Sequence, residues 1–275
     1  MFDRMRFTGL VVVLLWSMSP ATAQDAMLQR LDTTDDGRQW QAVGRIDIGG
    51  SGFCTGALIA PDLVLTAAHC LFDATTGKPV DTQQIEFLAG WRNGRATAYR
   101  WVRRAVVHPE YDYSNRIDAA RVRNDIALLE LHHPIAKSGV APFLTDTQPR
   151  KHERIGLVSY ARERSEAPSL QDMCQVLEKR SGVLVMSCDV DYGASGSPVF
   201  SFDDKGDPRI VSVVSAMAEI HGKKVALGAS LDRPLAMMRD ALDSGARLEN
   251  QARSEMFSTG QNRDTGAKFA SPDLD

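Results

Sequence analysis

From Trp40 onward, apolar residues come in short runs of four to eight, separated by turn-forming residues. Phe53 to Ile59 and Leu63 to Thr66 are two such runs, split by Ala60-Pro61-Asp62. Ile85 to Leu88, Arg100 to Val107 and Ile126 to Leu131 follow. After a polar, proline-bearing stretch between Pro134 and Pro149, the runs resume with Ile155 to Ser159, Cys174 to Leu177, Val183 to Cys188, Val199 to Phe202 and Ile210 to Met217. Many short Val-, Ile- and aromatic-rich runs broken by Gly, Pro and Asp predict an all-β sandwich or barrel. Asp203-Asp204-Lys205-Gly206-Asp207 reads as a hairpin loop, and Val43 to Ile48 as the first strand. A helix is expected only late, over 233–243. Pro234 stands near its first turn, Leu235, Met237, Met238 and Leu242 supply the apolar positions, and Gly245 ends it.

The two ends of the chain carry a different pattern. Arg4 and Arg6 precede an almost wholly apolar run from Leu10 to Met18, and Ala21-Thr22-Ala23 fits a small-x-small cleavage site. That run falls short of the roughly 20 residues needed to span a bilayer. Residues 1–23 therefore read as a signal peptide, with an uncleaved anchor as the alternative. Residues 24–39 are polar and read as a lead-in or short propeptide, and 246–275 as a disordered tail. The expected product is exported to a periplasmic or extracellular space, without stable membrane insertion.

Composition narrows the function. The 275 residues are 43% hydrophobic and 24% charged, with a formal net charge of −3. Such a near-neutral balance does not point to nucleic acid as a partner. Export changes the meaning of the four cysteines, Cys54, Cys70, Cys174 and Cys188. An even count in an oxidising compartment is read first as disulfides, with three pairings open. They form no C-x-x-C pair and have no histidine at ligand spacing, so no metal site is expected.

Three stretches carry candidate chemistry: Leu65-Thr66-Ala67-Ala68-His69-Cys70, Asn124-Asp125-Ile126-Ala127-Leu128-Leu129 and Gly193-Ala194-Ser195-Gly196-Ser197-Pro198. Each alone has a bland reading as a strand end, a turn or a loop. Together, in this order, they resemble the trypsin-like serine peptidase family over roughly Trp40 to Leu242, and the bacterial members of that family above all. The resemblance implies two six-stranded antiparallel β-barrels of the chymotrypsin kind with a C-terminal α-helix. A peptidase domain would span 40–245, with its first barrel at about 40–140 and its second at about 150–231.

The resemblance also assigns roles. Ser195 would be the nucleophile, His69 the general base and Asp125 the group orienting the base. Backbone amides of Gly193 and Ser195 would form the oxyanion hole. Cys54 would pair with Cys70, and Cys174 with Cys188. Ser215 would hydrogen-bond Asp125, while Met217 and Gly228 would line the substrate pocket. Asp189, six residues before Ser195, stands at the offset of the trypsin specificity carboxylate, which would imply a preference for basic side chains. The alternative is that Cys188-Asp189 is a structural turn, or that a different loop length points Asp189 elsewhere.

One departure matters. Ala194 replaces the aspartate that receives the new N-terminus when trypsin is activated, so that switch is not expected here. Arg45-Ile46-Asp47-Ile48-Gly49-Gly50 imitates an activation site but lies too close to Cys54 to serve as one. Ser197 also stands where the α/β-hydrolase G-x-S-x-G elbow has its last glycine. The chain is thus expected to cleave protein or peptide substrates through an acyl-enzyme, without a cofactor. An esterase using the same triad and a non-catalytic binding protein on the same fold are the alternatives.

Overall fold

The computed structural model describes residues 28–248, apart from 51, 114–116, 138 and 147–148, and the side chains of Asp232 and Arg233 are left aside. The expected signal peptide and almost all of the expected 246–275 tail lie outside the described residues. The first strands are β1 (Gln29–Arg30), β2 (Val43–Ile48), β3 (Phe53–Ala60), β4 (Leu63–Thr66), β5 (Ile85–Ala89) and β6 (Ala98–Val107). A short helix, α1 (Ala119–Asn124), precedes β7 (Ala127–Leu131). Then come β8 (Leu144–Thr145), β9 (Arg154–Ser159), β10 (Ser169–Arg180), β11 (Val183–Met186), β12 (Pro198–Phe202), β13 (Pro208–Ile220), β14 (Lys223–Ser230) and α2 (Asp232–Asp243).

These strands close two antiparallel six-stranded barrels, as the family resemblance implied. The first runs β2-β3-β4-β7-β6-β5 and closes where β5 pairs back onto β2. The second runs β9-β10-β11-β14-β13-β12 and closes through β12 on β9. Closure pairs each of the twelve barrel strands on both sides, with β1 and β8 added at the margin of the second barrel, and alternate side chains fill each interior.

Besides the two-residue β8, three elements were not legible as such in the sequence. Inside the predicted lead-in, β1 pairs antiparallel with β10, Gln29 opposite Leu170 and Arg30 opposite Ser169. Leu31 is buried there and its N–H donates to Pro168 C=O at 2.9 Å. The polar composition of 24–39 hides this because a single buried leucine carries the packing. Helix α1 corrects the expectation of a single late helix: Asp118 caps it, its carboxylate accepting the Arg121 N–H at 2.9 Å. Strand β14 escaped notice because Ala226, Gly228 and Ala229 have little strand propensity; it is held by β11 on one side and β13 on the other.

One core cluster crosses the interface between the barrels, and a second, with Ile155, Leu157, Leu184 and Val199, lies within the second barrel. Trp40, Phe143 and Phe200 meet between the barrels, with ring centroids 4.8 to 6.0 Å apart in tilted and edge-on arrangements. Helix α2 begins one residue before the expected start and buries Leu235, Met238 and Leu242, while Met237 stays exposed. It ends in a Schellman motif: Ala246 N–H reaches Ala241 C=O and Gly245 N–H reaches Leu242 C=O, with Gly245 at φ +86°.

Candidate active site

Strand β4 ends at Thr66 and the chain tightens into a 3-10 turn over Ala68–Leu71, which carries His69 at the mouth between the barrels. Cys70, next to it, is joined by a disulfide to Cys54 on β3, so the turn is tied to the neighbouring strand. Asp125 follows the last residue of α1 and precedes β7. A tight turn there, with Ile126 N–H on Asn124 C=O at 2.8 Å, fixes its direction. Asp125 is buried, and its carboxylate accepts three hydrogen bonds: Oδ1 from the His69 backbone N–H at 2.8 Å, and Oδ2 from His69 Nδ1 at 2.7 Å and Ser215 Oγ at 2.5 Å. With Nδ1 donating to a carboxylate, the neutral ring keeps Nε2 as an acceptor.

Ser215 reaches Asp125 because β13 bulges there. Val214 pairs with Gly228 and Ala216 with Leu227, leaving Ser215 as the extra residue between them. The neighbouring phenol of Tyr111 is buried, and burial together with the Asp125 charge pushes its pKa well above the ordinary tyrosine value. The other histidines line none of this. His108 is buried and its Nδ1 accepts the Glu110 N–H, burial holding its pKa below the usual value. His132, His133, His152 and His221 are exposed.

The loop of Ser195 is pinned carbonyl by carbonyl. Tyr192 C=O accepts Arg162 N–H at 2.7 Å, Gly193 C=O accepts Thr55 Oγ1 at 2.9 Å, Ala194 C=O accepts Ser197 N–H at 3.0 Å and Ser195 C=O accepts Thr55 N–H at 2.8 Å. In a planar trans peptide the N–H points opposite to the C=O. Holding the Tyr192 and Ala194 carbonyls therefore turns the amides of Gly193 and Ser195 the other way. Among the described residues neither amide has a hydrogen-bond partner. Glycine is required at both bends. A Cβ on Gly193 (φ +95°) would lie 2.4 Å from the Phe53 ring, and one on Gly196 (φ +78°) 2.1 Å from Thr66 Oγ1.

A cleft of about 330 Å³ brings together His69, Asp125, Ser195, Ser215 and Met217. Val190, Asp191, Tyr192, Val214 and Ala216 complete the second-barrel wall, and Ile117 and Arg121 come from α1 and the turn before it. Asp189 and Gly228 are not among the lining residues. Asp189 is exposed. Its backbone is held outward because Cys188 is buried in the disulfide with Cys174 and the Asp189 N–H donates to Gln171 Oε1 at 2.8 Å. The extended chain then turns Val190 inward. Gly228 is buried in β14, where a Cβ would meet Ser212 Oγ at 2.4 Å and Met186 Cε at 3.0 Å, away from the cleft.

Sequence reasoning missed Asp191, Tyr192, Ile117, Arg121 and Thr55. Asp191 has the same parity as Asp189, so in–out alternation from Cys188 does not separate the two, and no signal in the sequence singled out Asp191. Asp191 Oδ1 is occupied by the Tyr192 N–H at 2.7 Å. Both Asp189 and Asp191 support the charge of Arg164, whose pKa is nevertheless lowered by burial. Cys54, His69 and Cys70 form a compact donor cluster, but both sulfurs are consumed in the disulfide and neither is a thiolate.

A model of the family described as Trypsin matches residues 30–226, well over half of the chain. Mouse serine protease 23 is 30% identical over 168 residues, covering 54% of this chain and 42% of that protein. Glutamyl endopeptidase of Bacillus licheniformis is 23% identical over 202 residues, covering 73% of this chain and 61% of that one. The chain thus spans less than two thirds of the length of these relatives. A solved structure of a Glu endopeptidase in complex with MPD superposes with a TM-score of 0.64 at 17% identity, covering 80% of this chain and 98% of that one. With two closed barrels and the family match running from β1 into β14, the chain belongs to the trypsin family of serine peptidases.

Proposed function

We propose that the protein is an exported serine endopeptidase with Ser195 as nucleophile, His69 as base and Asp125 as orienting carboxylate. The observation that carries this reading is the buried Asp125 carboxylate, hydrogen-bonded to both the ring and the backbone of His69 at the edge of the cleft that Ser195 lines. In this reading His69 Nε2 takes the Ser195 hydroxyl proton as Oγ attacks the peptide carbonyl. The oxyanion forms against the amides of Gly193 and Ser195. Nε2 then hands the proton to the leaving amine, and water releases the acyl group by the same steps. Two disulfides support export to an oxidising compartment, with cleavage after Ala23.

Substrate preference, in this proposal, follows the apolar wall of Val190, Val214, Ala216 and Met217 rather than Asp189, which lies outside the cleft. Asp191 and Arg121 add one charge of each sign, so the wall favours an uncharged side chain next to the scissile bond. The preference for basic residues expected from the sequence is not retained.

The test is labelling of the secreted protein with a fluorophosphonate, the site located by mass spectrometry, with Ser195→Ala alongside. Label on Ser195 alone, together with cleavage of peptide substrates, is the expected result. Folded protein that stays unlabelled, and still does so after limited proteolysis upstream of Trp40, would overturn the reading in favour of a binding protein. Turnover of esters without peptides would favour an esterase.

A further inference from the structure

We infer that Thr55 is a positioning residue for the oxyanion hole, its hydroxyl and its amide together clamping the chain on both sides of the Ser195 N–H from across the barrel interface. The inference rests on the proposed role of Ser195. Thr55 sits on β3 of the first barrel, fully buried, and the loop it holds belongs to the second. Its amide donates to Ser195 C=O at 2.8 Å and its hydroxyl to Gly193 C=O at 2.9 Å. A hydroxyl has one proton, and the Tyr160 carbonyl at 3.5 Å is the weaker claimant for it. The same oxygen accepts the Tyr160 N–H at 3.1 Å, which fixes its rotor. The residue itself is anchored, since its C=O accepts Thr66 Oγ1 at 2.8 Å.

The geometry explains why this matters for one amide in particular. Ser195 N–H belongs to the peptide group between Ala194 and Ser195. Thr55 holds the peptide groups immediately before and after it, through the Gly193 and Ser195 carbonyls. Of the four carbonyls pinned in this loop, three are held by backbone N–H groups that no substitution short of proline removes. Thr55 Oγ1 is the one side chain among the four. Without it, the part-buried Gly193 C=O and the buried Tyr160 N–H both lose their partner, and the simplest relief is rotation of the peptide group at Gly193. Such rotation misdirects the adjoining donor by tenths of an ångström, which weakens the transition state and leaves ground-state binding almost untouched.

The experiment compares wild type, Thr55→Val, Thr55→Ser and Thr55→Ala on one peptide substrate, with the fluorophosphonate labelling rate measured in parallel. Valine keeps the shape and β-branching but lacks the hydroxyl. Thr55→Val is expected to lower kcat about 10- to 100-fold with KM within about threefold, and to slow labelling in proportion. Thr55→Ser, which restores the hydroxyl, is expected to recover kcat to within about threefold of wild type. Where Thr55→Val is not secreted in folded form, Thr55→Ala carries the same comparison with Thr55→Ser. Wild-type protein that neither labels nor cleaves would overturn the nucleophile assignment and this inference with it. An active wild type, with folded Thr55→Val or Thr55→Ala at near-normal kcat, would overturn the role of Thr55 alone. Loss that raises KM instead, or that serine does not rescue, would also overturn it.

Discussion

Asp125 Oδ2 receives two donors, His69 Nδ1 and Ser215 Oγ, and the second costs the first nothing because each approaches from a different element. Ser215→Ala removes a hydrogen bond to a buried carboxylate without touching the ring. We expect kcat to fall about tenfold with little change in KM, whereas Asp125→Ala should lower it by several orders of magnitude. Steady-state kinetics on one peptide checks both, and a Ser215→Ala enzyme as slow as Asp125→Ala would mean that the serine does more than orient. Met217 is 43% exposed on the cleft wall. Met217→Gly should widen the site and raise kcat/KM for substrates with a bulky side chain relative to alanine by about tenfold, read from a peptide library. The three residues of the proposed triad stood out in the sequence because the motifs around them are short and distinctive. The wall did not. Asp189 and Asp191 share one parity along the chain, so which of them borders the cleft is decided by how the segment after the Cys174–Cys188 bridge bends, and that is a property of the folded loop.

At the level of elements, the strands with alternating or continuous β-branched residues were readable, because that pattern is what a half-buried pleated surface selects. What stayed hidden were elements stabilised from outside: β14 by its two neighbours, and α1 by its Asp118 cap and its packing on β14. Tertiary contacts decide such segments, and a local pattern cannot reveal them. The disulfide of the histidine turn is an element-scale device. Replacing both Cys54 and Cys70 by alanine should lower stability by about 2–4 kcal/mol, seen as a reduced Tm. Activity per folded molecule should drop as well, since the turn that carries His69 loses its tie to β3. Glu130 on β7 is a second device, bonded to Arg103 and Arg104 of β6, while Arg104 also donates to Leu242 C=O of α2 at 3.1 Å. Burial alone would raise the Glu130 pKa, but the two guanidinium groups outweigh it and hold the carboxyl below the usual range. A depressed carboxylate stabilises the fold above its unfolded pKa, and this contribution fades as the pH falls through the folded value. Glu130→Gln should therefore lower Tm at pH 7, and the gap to wild type should close as the pH drops below the ordinary glutamate range. A gap that persists unchanged into acid would assign the effect to packing.

Across the whole molecule, the cleft is only as well defined as the relative placement of the two barrels, because His69 and Asp125 belong to one and Ser195 to the other. That placement is fixed by a core that crosses the interface, with Trp40, Phe143 and Phe200 at its centre, and by the segment from Gln29 to Trp40. This segment touches both barrels. Strand β1 extends the second barrel along β10, and the Leu31 C=O accepts Arg92 Nε of the first barrel at 2.6 Å. Leu31 is only 1% exposed and belongs to the shared core, so the folded domain begins well before Trp40. Leu31→Ala tests this directly. Removing a buried leucine side chain should cost about 2–5 kcal/mol and lower Tm on the order of 10 °C. No cleft-lining residue is replaced, so kcat at 25 °C should stay within about twofold of wild type while thermal inactivation becomes faster. An unchanged Tm would mean that residues 28–39 are a dispensable lead-in and that the barrels hold their relation without it. A lower Tm accompanied by a matching loss of kcat in the cold would mean that the segment also sets the geometry of the cleft, placing it among the parts on which the positions of His69 and Ser195 depend.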